Sequence, residues 1–247
     1  MASRASYLPY LSNKMTASAN ETEFRNQEKQ IAARAAVELV EAGSTVGLGS
    51  GSTAAYAVRF LAERVRQGLN IVAIPTSLQT QHLAEQLGIP LAALEDHPKI
   101  DIDIDGADEI DPQLNLIKGG GGAFLREKII ASASRRFIVI ADSAKQVKRL
   151  GKFPLPVEVV PFAQSLIKPQ IEALGAKVSL RSYAYGNPYV TDEGHHILDC
   201  TFGVIPDPAA LAEKLRCIPG VVEHGLFIGM AELALIGSDG RVIQLRR

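Results

Sequence analysis

Apolar residues along this chain follow two alternating patterns, short continuous runs and longer segments in which they recur every three or four positions. The short runs predict strands at residues 45–48, 71–74, 100–104 and 137–141, and the periodic segments predict helices beginning at residues 22, 54, 78 and 123. Strands that alternate with helices in this way predict a parallel sheet covered by helices on both faces.

The alternation changes after residue 150, where Pro154, Pro156 and Pro161 interrupt it. The segment that follows, 157–224, has the order strand, helix, strand, strand, helix, strand, which is typical of a ferredoxin-like unit. The last residues, 232–245, predict a hairpin. We therefore expect an α/β protein in two domains. A Rossmann-like parallel sheet domain takes residues 22–152 and 226–247, and a second, smaller ferredoxin-like α+β domain takes residues 153–225.

Composition and charge narrow the class of protein. The 247 residues are 47% hydrophobic and 21% charged, close to the averages of globular proteins. The 26 basic and 27 acidic residues leave a formal charge of -1, which attracts no polyanion over long range. No segment reaches the roughly 18 apolar residues of a membrane-spanning helix. We expect a globular protein with neither a nucleic-acid nor a membrane partner.

The start of the chain lacks the apolar stretch of a secretory signal. Residues 1–21 are expected to form a disordered leader, with an organelle transit peptide or an early start codon before Met15 as alternatives. Two cysteines, Cys200 and Cys217, are too few for a disulfide framework and favour a reducing compartment. The cytoplasm is the expected location, and an organelle stroma is the alternative.

Gly49-Ser50-Gly51-Ser52-Thr53 connects a predicted strand to a predicted helix. Backbone N–H groups at such a turn are free to bind an anion, and the helix dipole favours a phosphate there. No Lys follows the glycines as in a Walker loop, and the third glycine of a dinucleotide fingerprint is absent. A tight turn with Ser52 or Thr53 as a helix cap is an equally acceptable interpretation of this motif alone.

Six acidic residues lie between positions 101 and 111, a range that begins within the predicted strand 100–104. A solvated strand at the edge of the sheet would explain Asp101, and the same explanation can include Asp103. Asp105 and Asp108 instead flank Gly106-Ala107 at the carboxyl end of the strand, where ligands of open α/β sheets bind. These two carboxylates are candidates for binding sugar hydroxyls or a metal.

Lys118 is followed by four glycines, 119–122. Each glycine costs about 0.5 to 1 kcal/mol in chain entropy, so a run of four indicates either close approach of the backbone to a ligand or a flexible loop. Glu127 follows in the next predicted helix, as a surface ion-paired residue or as a general base directed at the glycines. Lys145 follows the strand at 137–141, where a simple helix start is the alternative to a binding site.

Together these segments resemble the ribose-5-phosphate isomerase type A family, and the resemblance runs from about residue 22 to the end of the chain. The motifs that carry it are Gly49-Ser50-Gly51-Ser52-Thr53, Asp105-Gly106-Ala107-Asp108, Lys118-Gly119-Gly120-Gly121, Arg126-Glu127-Lys128-Ile129-Ile130-Ala131, Leu150-Gly151-Lys152-Phe153-Pro154 and Ile218-Pro219-Gly220-Val221-Val222. The resemblance implies a Rossmann-like domain plus a small ferredoxin-like domain. It also implies interconversion of ribose 5-phosphate and ribulose 5-phosphate in the pentose phosphate pathway or the reductive carbon cycle.

The resemblance also implies a role for each matching residue. Glu127 is expected to be the base, Lys118 the cation near the developing oxyanion, and Asp105 and Asp108 the groups that hold the sugar hydroxyls. The residues expected to complete the substrate and phosphate site are Ser50, Gly51, Ser52, Thr53, Gly106, Ala107, Gly119, Gly120, Gly121, Lys145 and, on the first helix, Lys29.

Such a reaction needs one carboxylate to move a proton and a cation with backbone N–H groups to stabilise an enediolate. We therefore expect no cofactor and no metal, with a magnesium site at Asp105 and Asp108 as the alternative. A homodimer or homotetramer is expected from the family. The alternatives are a nicotinamide-dependent dehydrogenase, a coenzyme A transferase and a phosphosugar-binding sensor protein of related fold.

Overall fold

A computed structural model describes the backbone of residues 8–247 and the side chains of residues 21–247. Its helices are α1 (Leu8–Val37), α2 (Ser52–Arg66), α3 (Leu78–Gln86), α4 (Phe124–Ala133), α5 (Gln164–Ala173) and α6 (Pro208–Arg216). Its strands are β1 (Thr45–Leu48), β2 (Val72–Pro75), β3 (Ile100–Gly106), β4 (Glu109–Ile110), β5 (Leu116–Ile117), β6 (Ser134–Asp142), β7 (Leu155–Val159), β8 (Lys177–Leu180), β9 (His196–Thr201), β10 (Val221–His224), β11 (Leu226–Phe227), β12 (Leu233–Ser238) and β13 (Arg241–Arg246).

The largest sheet has the strand order β13-β12-β6-β3-β1-β2. Its strands are parallel except β13, which pairs antiparallel with β12 as the predicted hairpin. Residues 137–141 of β6 are buried on both sides, as a parallel strand covered by two layers requires. Ile102 and Ile104 of β3 pack in one core with residues of α1 and α2. The alternate residues, Asp103 and Asp105, therefore point to the opposite face, on which α4 lies against β3.

The second sheet has the order β10-β7-β9-β8 and is antiparallel throughout. In chain order its strands and helices alternate as β7, α5, β8, β9, α6, β10, which confirms the predicted ferredoxin-like unit. Side chains of β7, β9, α5 and α6 share its core, including Val157, Leu198, Ile167 and Leu215. The α/β fold with a second, antiparallel unit is therefore as the sequence predicted.

A third, three-stranded sheet of β11, β5 and β4 joins the two units. Backbone hydrogen bonds also link the two units. The N–H of Lys118 donates to the carbonyl oxygen of Gly225 at 2.9 Å, and the N–H of Gly225 donates to the carbonyl oxygen of Pro156 at 2.8 Å. The sequence missed these strands because two residues are too few to show a period. Glu109 in β4 is buried and accepts the N–H groups of Gly151 and Phe153 at the crossing between units.

The first helix begins earlier than the sequence predicted. It starts at Leu8 instead of Thr22, so residues 8–21 of the expected disordered leader are helical, while residues 1–7 lie outside the described residues. No glycine interrupts residues 8–37, and Pro9 stands in the first turn, where the missing N–H costs no helical hydrogen bond. None of the helices in the described part of the chain is long and apolar enough to cross a membrane.

Gly237 in β12 is expected to tolerate no side chain. A Cβ atom there would lie 2.0 Å from the carbonyl oxygen of Glu28, and this atom belongs to the backbone of α1, which cannot move aside as a side chain can. We expect Gly237→Ala to lower the free energy of unfolding by about 1 to 3 kcal/mol, measured by urea denaturation. Ser238→Ala, one residue further at the end of β12, is the control. Equal midpoints for the two variants would contradict this account of the α1–β12 contact.

Candidate active site

A cavity of about 100 Å³ opens at the carboxyl ends of β1 and β3 and under the glycine run that follows β5. This is the edge of a parallel sheet at which ligands bind in open α/β folds. The residues that line it are Ser50, Gly51, Ser52, Thr53, Gly106, Ala107, Asp108, Lys118, Gly119, Gly120, Gly121, Glu127 and Lys145. The structure thus brings together in one cavity segments that are separated by up to about a hundred positions in the sequence.

Two expected residues do not line the cavity. Asp105 lies behind it, completely buried, and contacts three residues that line it, Lys118, Gly106 and Ser50. Lys29 on α1 is absent from the cavity wall. Its neighbour Glu28 is buried, and the carboxylate of Glu28 accepts the N–H and the hydroxyl of Ser143, two residues before Lys145.

The loop after β1 presents the amino terminus of α2 to the cavity. Gly51 caps that helix with a φ of 94°, a left-handed conformation that favours glycine, and no side chain caps the first turn. The hydroxyl of Ser50 is held by Thr76 and Ser77 at 2.8 and 2.7 Å. Backbone N–H groups at the start of α2 are therefore available for an anion, while neighbouring hydroxyls fix the loop.

Gly47 in β1 and Gly49 just after this strand make room for the carboxylates of β3. A Cβ at Gly47 would lie 2.6 Å from Asp103 Oδ1, and a Cβ at Gly49 would lie 2.2 Å from Asp105 Oδ1. That oxygen of Asp105 accepts the N–H of Ser50 at 3.0 Å, which ties the loop to β3. Position 49 therefore requires glycine because a side chain there would overlap the carboxylate of Asp105, and not only because the chain turns.

Lys118 lies between two carboxylates. Its Nζ is 3.0 Å from Asp105 Oδ2 and 3.2 Å from Glu127 Oε2, and it also donates to the carbonyl of Gly106. Its side chain is 3% exposed, so water does not screen these contacts. Burial lowers the pKa of Lys118, but Asp105 and Glu127 together raise it above its ordinary value, and the group stays an ammonium.

Glu127 occupies the first turn of α4 and is buried beside Lys118. Burial, and after it the charge of Asp105, raises the pKa of Glu127 from 4.5 to about 8, against the opposing effect of Lys118. The interpretation of Glu127 as a surface residue is wrong, because its side chain is buried and its ion-pair partner, Lys118, is buried too. A carboxyl with a pKa near neutrality can both accept and return a proton.

The environment of Asp103 in β3 differs from the one that the sequence predicted. A solvated edge was expected to extend to this residue, but β3 is an interior strand and the side chain is completely buried. Both carboxyl oxygens lack a hydrogen-bond partner among the described residues. Burial, followed by the charge of Asp105, raises the pKa of Asp103 well above its ordinary value. Asp101 is bound differently, because it accepts the N–H of Thr45 at 2.9 Å.

Asp108 and Lys145 form the outer wall of the cavity. Asp108 Oδ2 accepts the N–H of Gly120 at 2.7 Å, and Lys145 Nζ lies 4.0 Å from Asp108 Oδ1. Lys145 follows β6 in a short 3-10 turn that Asp142 caps by accepting the N–H of Ala144. The sequence offered a helix start or a binding site for this segment. In the structure Lys145 both belongs to a short 3-10 helix and lines the cavity.

The Asp105 and Asp108 pair does not have the arrangement of a metal site. Asp105 is already bound to Lys118 and to the N–H groups of Ser50 and Gly106. In the part of the chain with described side chains, no three His, Cys, Asp or Glu residues gather as metal ligands.

The sequence missed two residues that hold the glycine run. Arg181 donates to the carbonyl oxygens of Gly119 and Gly120, and Tyr189 donates to that of Gly121. Both come from the segment between β8 and β9 in the second unit. No local pattern marks them, because their partners lie about sixty residues earlier in the chain.

Comparison with known proteins gives a consistent result. Residues 72–241 match the family model of ribose 5-phosphate isomerase A, also called phosphoriboisomerase A. The ribose-5-phosphate isomerase A of Parvibaculum lavamentivorans is 52% identical over 220 residues, which cover 87% of this chain and 95% of that protein.

Two solved structures are also similar. A D-ribose-5-phosphate isomerase in complex with phospho-erythronic acid superposes with a TM-score of 0.86 at 41% identity, covering 89% of this chain and 97% of that one. Ribose 5-phosphate isomerase A from Methanocaldococcus jannaschii gives a TM-score of 0.85 at 40% identity, with coverage of 89% and 98%.

Ionisation of Glu127 is expected to make the folded protein less stable as the pH rises. Because its pKa is about 8 when folded against an ordinary 4.5, the folded chain keeps a proton that the unfolded chain loses. This stabilising contribution is complete below about pH 4.5 and is lost as the pH rises through about 8. Urea unfolding of the native protein and of Glu127→Gln across this range measures it.

The native protein should lose stability relative to Glu127→Gln as the pH increases. Glu232→Gln is the control, since the hydrogen bond from Arg136 lowers the pKa of Glu232 and it stays ionised throughout this range. Parallel stability curves for the native protein and Glu127→Gln would contradict the raised pKa.

Proposed function

Because this chain belongs to the ribose 5-phosphate isomerase A family, it is an aldose–ketose isomerase, and we propose that it interconverts D-ribose 5-phosphate and D-ribulose 5-phosphate with Glu127 as the general base. The single observation that carries this proposal is the contact of Lys118 with both Asp105 and Glu127 at the cavity wall. It places a proton acceptor and a fixed positive charge side by side.

The reaction exchanges a proton between C1 and C2 of the opened sugar. In the direction from the aldose, the Glu127 carboxylate removes the proton from C2, and the C1 carbonyl oxygen gains the negative charge of an enediolate. The C2 hydroxyl passes its proton to the C1 oxygen, and Glu127 returns the carbon-bound proton to C1, so that C2 becomes the ketone and C1 a hydroxymethyl group. A base whose pKa lies near the working pH suits both halves of this exchange.

The developing negative charge on oxygen is stabilised by Lys118 and by N–H groups of the glycine run. Such preorganised donors in a site with little water are among the largest contributions to catalysis. Asp105 does not reach the cavity, so its role in this proposal is to hold Lys118 in place. Asp108 lines the cavity and is the carboxylate that binds the sugar hydroxyls.

The phosphate of the substrate belongs at Ser50, Gly51, Ser52 and Thr53, where the amino terminus of α2 offers N–H groups. Lys145 adds a positive charge on the cavity wall. A similar isomerase has been solved in complex with phospho-erythronic acid, an open-chain sugar acid with a phosphate group, which supports a phosphosugar as the class of substrate.

The remaining expectations belong to the same proposal. The protein acts on a pentose 5-phosphate, without a cofactor and without a nucleic-acid or membrane partner, as a homodimer or homotetramer in the cytoplasm. This places it in the non-oxidative branch of the pentose phosphate pathway. The relatives reported above carry the isomerase name, so the phosphosugar sensor has no support from them.

Replacing Glu127 by Gln is expected to remove the base while keeping the size of the side chain. The kcat for ribulose 5-phosphate formation should fall about 10²- to 10⁴-fold. In the native protein kcat/KM should increase as the pH rises to about 8, because Glu127 must be ionised to act as a base. Glu213→Gln, which removes an exposed carboxylate that pairs with Arg216 on α6 and does not line the cavity, is the control. Full activity of Glu127→Gln would rule out this residue as the base.

Turnover is expected to continue in excess EDTA, because Lys118 supplies the positive charge that a metal would otherwise provide. The rate of ribulose 5-phosphate formation, measured before and after prolonged dialysis against the chelator, tests this expectation. Loss of activity that added Mg²⁺ restores would assign Asp105 and Asp108 to a metal site instead.

A further inference from the structure

One segment of the smaller unit closes over the glycine run of the larger one. The segment is 181–195, between β8 and β9, and we call it the strap. Arg181 and Tyr189 of the strap bind the glycine carbonyls. Further along, Asp192 accepts the N–H of Leu78 at 2.9 Å at the start of α3, and Glu193 pairs with Arg126 of α4. The strap therefore contacts the glycine run and α4, which both contribute residues to the cavity wall, and the start of α3, whose cap Ser77 binds the hydroxyl of Ser50.

Arg181 is itself held in a fixed orientation. Its Nε and Nη2 donate to the two carboxylate oxygens of Asp199 in β9 at 3.0 and 2.5 Å. This two-point contact fixes the plane of the guanidinium group. The remaining Nη1 then donates to the carbonyl oxygens of Gly119 and Gly120 at 2.8 and 3.2 Å. The side chain is 14% exposed, so these hydrogen bonds are largely sheltered from water.

Peptide planes transmit this orientation to the cavity. In a trans peptide the C=O and the following N–H point in opposite directions. The carbonyl of Gly119 faces Arg181, so the N–H of Gly120 faces away from it and donates to Asp108 Oδ2 at 2.7 Å. Arg181 and Asp108 thus hold the two ends of one peptide group.

The next peptide has the same arrangement. Its carbonyl, that of Gly120, accepts from Arg181, and its N–H belongs to Gly121, which lines the cavity. A Cβ at Gly121 would meet no atom within 4 Å, so space is open around this residue. The N–H of Gly121 has no backbone partner among the described residues and is available to a substrate oxygen.

Contacts on both sides keep the glycine run from rotating. A Cβ at Gly122 would lie 2.4 Å from the hydroxyl oxygen of Tyr189, and a Cβ at Gly119 would lie 2.5 Å from Cδ1 of Phe124. The run is therefore clamped between the strap and α4. Flexibility, the alternative that four consecutive glycines suggest, is not what this packing favours.

We propose that Arg181 is a positioning residue for the reaction, which orients Asp108 and the N–H of Gly121 toward the sugar by fixing the two peptide groups between them. This inference rests on the proposed function, since it assigns Arg181 to the same cavity. It concerns the sugar end of the site only. The phosphate end, at the start of α2, has no contact with Arg181 among those described and should be unaffected.

The variants Arg181→Gln and Arg181→Lys test the inference, with Tyr185→Ala, a 96% exposed residue of the strap, as the matched control. Arg181→Gln is expected to lower kcat/KM for ribose 5-phosphate about 10- to 100-fold, since small displacements of site groups have effects of this size. The constant for competitive inhibition by inorganic phosphate should stay within about twofold, because phosphate binds at the other end. Tyr185→Ala should match the native protein in both measurements.

Arg181→Lys separates positioning from a structural role. A lysine keeps the ion pair with Asp199 but cannot also bind two carbonyls in a planar fork. We expect this variant to recover the thermal stability of the native protein and to keep the low kcat/KM. Recovery of both together would overturn the inference, because the residue would then serve stability alone.

A double-mutant cycle with Asp108→Asn shows whether Arg181 acts through Asp108. In the Asp108→Asn background, Arg181→Gln should reduce kcat/KM further by less than about threefold, since coupled residues are not additive. Fully additive losses would overturn the inference while leaving the isomerase intact. An inactive native protein would instead contradict the proposed function.

Backbone NMR provides a readout that needs no activity. The Gly120 amide proton, bound to a carboxylate in the native protein, should shift and exchange faster with solvent in Arg181→Gln but not in Tyr185→Ala. An unchanged Gly120 resonance would show that Arg181 does not control this peptide, and the inference would fail even for an active enzyme.

Discussion

The buried ammonium of Lys118 is the constraint on which the rest of the site depends. A charge removed from water is costly unless opposite charges and hydrogen bonds surround it. Asp105, Glu127 and the carbonyl of Gly106 provide these contacts. Asp105 and Gly106 belong to β3 and Glu127 to α4, while Lys118 itself follows β5, so the position of Lys118 requires β3, β5 and α4 to meet at one point. The architecture of the larger unit meets this requirement.

The distribution of glycines follows from the same cluster. Gly47 in β1 and Gly49 just after this strand carry no side chains at the positions toward which the carboxylates of β3 project. On the other side, the glycine run brings the backbone close to the cavity and leaves space for Tyr189 and Phe124. In the sequence Gly49 and the run 119–122 predict turns or a backbone that approaches a ligand, and nothing there indicates the buried carboxylates beside Gly47 and Gly49. In the structure their missing side chains make room for buried charge and for backbone donors.

Local features of the fold were predictable, and features that depend on distant partners were not. The sequence predicted the alternation of strands and helices, the ferredoxin-like order of elements and the site residues around the glycines. Each element or motif among them has a recognisable pattern within a short stretch of the sequence. The burial of Asp103 was missed because a solvated edge strand and an interior strand differ in their neighbours and not in their own sequence. Arg181 was missed for the same reason, since its partners belong to the other unit.

The base strength of Glu127 is a property of the whole cluster. Asp103, Asp105 and Glu127 influence one another electrostatically, and Lys118 is the cation among them. One ammonium offsets one carboxylate, so ionisation of all three acids in a buried space is unfavourable. The pKa values of all three are raised by burial first, and the charge of Asp105 adds to the effect at Asp103 and Glu127. Of these three acids Glu127 is the one that lines the cavity, so in the proposed mechanism it is the group through which the cluster exchanges its proton with a bound sugar.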